Sequence, residues 1–158
     1  ERKKKKINTT HELAEIIRDI VPKNFKKDPA TRTFQAIRIA VNDELIDLAK
    51  ALMFAEKLVR KGGTIAVVTF HSLEDKIVKD FGKIMSGKAS PINRYSPPVS
   101  KTCPSLVPVN KKPVVASIDE LDRNKRARSA KLRVYKKVSD SSSRVLEKME
   151  FPQVELGI

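Results

Sequence analysis

Lys61-Gly62-Gly63-Thr64-Ile65-Ala66-Val67-Val68-Thr69-Phe70-His71-Ser72-Leu73-Glu74-Asp75 is the stretch on which the fold turns. Its near-continuous apolar run, rich in β-branched residues and opened by Gly-Gly, predicts a strand buried on both faces of a parallel α/β sheet. The polar residues that follow begin a helix. Ser72 and Asp75 have the spacing of N-cap and N3, although Asp is a weaker capping-box partner than Glu or Gln. Sheets of this class bind ligands at the carboxyl ends of their strands, and His71 and Ser72 fall at that edge. His71 is therefore the candidate catalytic residue, contacting substrate or orienting a neighbouring carboxylate, its other reading being a histidine that closes the helix start by hydrogen bonding. Asp75 reads as a helix-start residue and Glu74 as solvated.

Outward from this stretch the pattern is helical on both sides. Upstream, Leu13, Ile16, Ile17 and Ile20 recur at helical spacing behind Asn8-Thr9-Thr10, and Pro22 stops that helix. Asp28-Pro29 predicts a second start, with Phe34, Ile37 and Val41 on one face. Asn42 restarts a further helix through Leu45, Leu48, Leu52 and Ala55, which ends at Gly62-Gly63. Downstream, Leu73, Ile77, Val78, Phe81 and Ile84 form an amphipathic helix closing near Gly87. Residues 90–113, broken by Ser-Pro, Pro-Pro and Cys-Pro steps, read as a long loop. A short strand is predicted at Lys112 to Val115 and a brief helix at Ile118 to Leu121. From Lys131 onward, basic and apolar residues alternate, which predicts a half-exposed strand near a sheet edge with its cations on the wet face.

Composition narrows the partner. The 158 residues suffice for one ordinary domain, and the formal charge is +14. Nucleic acid fits best, because Lys and Arg gain affinity by displacing counterions from phosphates. No apolar stretch is long enough to span a membrane. The single Cys103 excludes an internal disulfide and points to a reducing compartment. Two histidines far apart in sequence leave metal binding without a ligand set. The Lys3-Lys4-Lys5-Lys6 run has no apolar segment behind it and is not a secretory signal.

Four blocks then stand in one order: Asp28-Pro-Ala-Thr-Arg-Thr-Phe-Gln-Ala-Ile-Arg-Ile-Ala-Val-Asn-Asp-Glu-Leu45, Thr69-Phe-His-Ser-Leu-Glu-Asp-Lys-Ile-Val-Lys79, Lys111-Lys-Pro113 and Arg128-Ser-Ala-Lys-Leu-Arg133. Together they make residues 7–138 resemble the small-subunit ribosomal RNA cytosine-N4 methyltransferases. Asp28 stands where that family usually has His, and Asn124-Lys125-Arg126-Ala127 where it has Asn-Pro-Arg-Ser. The resemblance implies an α/β fold, the C-terminal part of a class I, Rossmann-like methyltransferase sheet with the end of a helical insertion domain. Residues 1–40 would close the insertion, 41–138 would be the C-terminal part of the methyltransferase domain, and 139–158 a linker and tail. The Lys-rich composition and tail look like the eukaryotic, mitochondrial branch, with a bacterial, cytoplasmic member as the alternative.

The resemblance also implies S-adenosyl-L-methionine as methyl donor and small-subunit ribosomal RNA as partner. A cytosine N4 amine is a poor nucleophile, its lone pair delocalised into the ring, so positioning should dominate the rate. The family's cofactor half, with its Gly-Gly-His loop, has no counterpart here, since Gly62-Gly63 precedes a strand rather than joining a strand to a phosphate-binding helix. The expectation is a C-terminal fragment, shortened isoform or gene remnant, inactive alone, whose cofactor is held by the missing half. Arg126, Arg128, Lys131 and Arg133 are candidates for RNA phosphates, and Ser72 for substrate contact. Arg32, Arg38 and Asn42 either contact RNA phosphate or substrate between the insertion and catalytic domains or pair with an acidic residue on the missing half. Arg94 and Tyr95 in the long loop could stack on a base. A non-catalytic basic RNA-binding or ribosome-assembly module is the alternative function, and an exposed sheet edge is a route to a homo-oligomer.

Overall fold

The computed structural model describes residues 6–21, 28–88 and 103–140. Pro22, most of the long loop with Arg94 and Tyr95, and the tail beyond residue 140 lie outside the described residues. The chain divides into two compact units, Glu1–Glu44 and Leu45–Ile158.

In the first unit, α1 (Thr10–Ile20) is opened by a capping box in which the Thr9 side chain accepts from Glu12 N and the Glu12 carboxylate accepts from the Thr9 backbone. Arg18 on its last turn reaches Asp28, with Nη2 2.6 Å and Nε 3.2 Å from Oδ2. The other oxygen of Asp28 accepts from Ala30 N at 3.0 Å, so Asp28 both starts α2 (Ala30–Asn42) and ties it to α1. Helix α2 runs through Asn42 rather than ending before it. The break comes one residue later, at Asp43, whose φ of 51° is left-handed, and α3 (Glu44–Leu58) starts directly after it.

The second unit is a small antiparallel sheet with helices. β1 (Thr64–Thr69) pairs antiparallel with β4 (Lys131–Lys137), from Thr64 opposite Lys136 to Thr69 opposite Lys131. β2 (Leu106–Pro108) and β3 (Val114–Val115) also pair antiparallel with β4. The order is β1-β4-β2, so β1 and β2 run parallel to each other with β4 slotted between them. The chain passes from β1 to β2 through α4 (Ser72–Met85). Two expectations are thereby corrected. β1 has antiparallel contact and a covered and an open face, with Ile65 and Thr69 buried and Ala66 and Val68 exposed; a run of apolar residues alone cannot show whether both faces are covered. β4 is central, not at an edge.

The core joins Leu52 of α3, Ile65 of β1, Val78, Phe81 and Met85 of α4, Leu106 of β2 and Tyr135 of β4. The α4 residues recur at three- and four-residue spacing, which is why one stripe of that helix faces the sheet. Phe81 and Tyr135 meet edge to face, centroids 6.4 Å apart, and the Tyr135 hydroxyl donates to Val78 O at 2.9 Å. Gly82 permits this contact, since a Cβ there would land in the Tyr135 ring. β2 falls inside the predicted loop. Three residues ending in Pro108 carry no period, and β4 supplies the ladder that makes them a strand. After β3, α5 (Ile118–Arg123) and a 3-10 helix at Lys125–Ser129 lead into β4.

Candidate functional site

The carboxyl end of β1 passes into α4 through Phe70 and His71. The capping pair is His71 and Glu74, not Ser72 and Asp75: Glu74 N donates to His71 Nδ1 at 3.3 Å, while Glu74 Oε2 accepts from Phe70 N at 2.8 Å and His71 N at 3.2 Å. Both pairs have the same spacing, but Glu is the stronger box partner, and histidine can accept through an unprotonated ring nitrogen. Glu74 is thus engaged rather than merely solvated. Nδ1 acceptance assigns the neutral ring's proton to Nε2. That nitrogen is buried without a hydrogen-bond partner, although Glu74 Oε1 lies 3.3 Å away. The geometry makes His71 a cap and leaves one ring donor unspent. Ser72 is the first residue of α4 and exposed.

One residue further, freed from capping, Asp75 turns to β4. Its Oδ1 accepts from Arg133 Nε at 2.7 Å, and Oδ2 accepts from Arg133 Nη2 and Lys131 Nζ, both at 3.2 Å. This two-pronged hydrogen bond from Arg133, then Lys131, holds the Asp75 carboxyl below the usual carboxylate range against the opposing effect of burial. The register places Lys131, Arg133 and Tyr135 opposite Thr69, Val67 and Ile65, on the face that α4 covers. The expected orientation of β4 is therefore largely inverted: Lys131, Arg133 and Lys137 lie on the covered face, and Leu132, Val134 and the exposed Lys136 on the other. Alternation showed that the faces differ, while the neutralising carboxylate lies 56 to 58 residues away in sequence. Lys137 continues this side, buried and paired with Glu56 of α3 and donating to Glu56 O at 2.7 Å.

Arg126 and Arg128, in the 3-10 helix, are exposed. In the first unit Arg38 and Asn42 converge on Glu44: Arg38 Nε is 3.0 Å from Oε1 and Nη2 3.2 Å from Oε2, and Asn42 Nδ2 donates at 3.2 Å. Arg32 is exposed on the first turn of α2. Within the second unit the candidates fall into two groups, His71 and Ser72 at the β1 edge and Lys131 and Arg133 on Asp75; within the first unit Arg38 and Asn42 gather on Glu44.

A basic cleft of about 180 Å³, which the sequence did not single out, opens between α4 and the β2–β4 end of the sheet. Lys79, Lys83, Lys88, Lys111 and Arg133 line it. Its only sequence signal was the i,i+4 spacing of Lys79 and Lys83. A pocket of cations does not suit the positively charged sulfonium of S-adenosylmethionine, and the β1–α4 turn spends its amides on its own cap. Neither this cleft nor that turn is fitted to the cofactor.

Fold and comparison converge on a class first, a Rossmann-like methyltransferase fold with which this sheet is consistent as a C-terminal portion. The model of the MraW methylase family matches residues 1–138, and the chain belongs to that family. It is 50% identical over 135 residues to "Ribosomal RNA small subunit methyltransferase H" of Paramagnetospirillum magneticum, covering 84% of this chain and 42% of that protein. Proteins of the same name from Jannaschia sp. and Sinorhizobium fredii are 45% and 53% identical over 158 and 127 residues, covering 98% and 79% of this chain. The chain spans 48% and 37% of those two, less than half the length of these relatives. All three come from bacteria, and the mitochondrial branch finds no support among them. No described helix is long and apolar enough to cross a membrane.

Proposed function

We propose that this chain contributes the C-terminal part of an S-adenosylmethionine-dependent methyltransferase acting on the N4 amine of a cytosine in small-subunit ribosomal RNA. The family match across residues 1–138, with relatives named for small-subunit ribosomal RNA methylation, carries the reading. The cofactor is assigned to a half that these residues do not include, so this chain alone is inactive. A bacterial, cytoplasmic setting is the working assignment, because the relatives are bacterial. Residues 1–40 act as the end of an insertion domain and 41–138 as part of the catalytic domain.

Within that reading His71 positions the base. Its Nε2, 3.3 Å from Glu74 Oε1 but making no hydrogen bond, can donate to a ring acceptor of cytosine, while Glu74 holds the imidazole in place. Ser72 stands beside it, and Arg32, Arg38, Asn42, Arg126, Arg128, Lys131 and Arg133 contribute to RNA contact as a basic surface, those already paired acting through residual field rather than as free cations. β1 has no second partner among the described residues, and this open edge is where a second copy would add.

Methyl transfer from labelled S-adenosylmethionine to small-subunit ribosomal RNA tests the function. Activity is expected only when the chain is extended upstream through the missing half, and His71→Gln in the extended enzyme should raise KM or lower kcat without unfolding it. Activity in neither form would favour a non-catalytic RNA-binding module.

A further inference from the structure

We propose that the cleft between α4 and the β2–β4 end of the sheet is a binding site for phosphodiester groups of the RNA backbone. The proposal rests on the RNA substrate assigned above and adds where, on this chain, the backbone is held. Lys79 and Lys83 project one turn apart from α4, Lys88 follows its C-terminal cap, and Lys111 comes from the segment after β2. These are separate elements, yet their side chains border one cavity of about 180 Å³. At a liquid share of about 30 Å³ per water, it has room for about six waters or for small tetrahedral anions.

Charge balance singles this cleft out. Arg133 at its back is already satisfied by Asp75 at 2.7 Å. Lys83 is 3.4 Å from Asp80. Lys79, Lys88 and Lys111 have no carboxylate partner among the described residues, and all three are exposed. Cations lining a concave wall focus positive potential into the space they enclose. Lysine, as a flexible point charge, suits phosphate contact that tracks a backbone without reading sequence. Asn110 also lines the cleft. The floor is fixed by the Gly82–Tyr135 contact and by the Tyr135 bond to Val78 O. The rigid part of the site is thus core structure and the adaptable part is lysine.

The test is fluorescence anisotropy of a labelled single-stranded RNA oligonucleotide with the full chain over a salt series. It compares wild type, Lys79→Gln/Lys111→Gln, and a control, Lys76→Gln/Lys136→Gln, that removes equal charge from exposed positions outside the cleft. The cleft variant should flatten the plot of log K against log salt by about 1.4, two contacts at about 0.7 each for single strands. The control should leave the slope near wild type. Equal flattening in both, or in neither, overturns the cleft while RNA binding itself stands. Failure of wild type to bind RNA at low salt overturns both the cleft and RNA contact by this chain. Titrating inorganic phosphate separates the remaining source: saturable phosphate binding lost in the cleft variant, with RNA affinity unchanged, makes this a free-anion site and overturns the assignment to RNA.

Discussion

Replacing Asp75 by Asn removes the charge that Arg133 and Lys131 share and leaves both cations against a neutral amide. The expected cost is about 1–3 kcal/mol, read from urea denaturation midpoints. The pH dependence has a definite sign. The folded Asp75 carboxyl lies below its unfolded value of about 3.9, so its contribution is complete above that pH and is lost as pH falls through the lower folded value. Wild type should therefore lose stability more steeply than Asp75→Asn below about pH 4. Gly82 offers a second test at this scale, because two effects oppose. Ala in a helix interior gains about 1 kcal/mol over Gly. A methyl pressed into the Tyr135 ring costs about 1–3 kcal/mol through overpacking. Sterics should win, and thermal unfolding of Gly82→Ala should show a lowered Tm.

Between elements, Glu56 and Lys137 fasten α3 to the end of β4 where water is excluded, at 0% and 3% side-chain exposure. Glu56→Gln leaves a buried ammonium without its counter-ion and should cost about 3–5 kcal/mol. Glu56→Leu/Lys137→Met should recover most of that loss, since an apolar pair of similar volume needs no desolvation. Chemical denaturation of the two variants side by side checks the difference. The same interaction explains what was legible in the sequence. The α4 core stripe and the β1 run were readable because hydrophobic period is local. The facing of β4 was not, because Lys131, Arg133 and Lys137 tolerate a covered face only through Asp75 and Glu56, which are brought there by folding. Strand β2 was hidden for a related reason, its pairing belonging to a strand that comes later in the chain. The helix start was misread by one residue because Ser72–Asp75 and His71–Glu74 both satisfy the capping interval.

For the molecule as a whole, the net charge of +14 suits a family whose relatives are named for ribosomal RNA, but it does not say where on the surface the charge lies. The candidates on β4 share one carboxylate, Asp75, whereas the lysines without a carboxylate partner among the described residues gather from α4 and from beyond β2, too scattered in sequence to form a visible cluster. His71 was legible as the residue at the strand edge, and its closing of the helix start by hydrogen bonding was one of the two readings the sequence offered. The position of β4 also bears on the timing of synthesis. Every ladder in the sheet includes β4, and its residues pair with positions more than sixty earlier as well as with β2 and β3. A chain emerging from the ribosome can form helices early, since their bonds are local, but it has nothing to zip β1, β2 or β3 together until Lys137 is free. Ending the chain after Ala130 should thus abolish the strand signature in circular dichroism while keeping helical content. During translation β1 would wait with Ile65 uncovered and its backbone edge unpaired, an aggregation hazard that lasts until the final strand arrives.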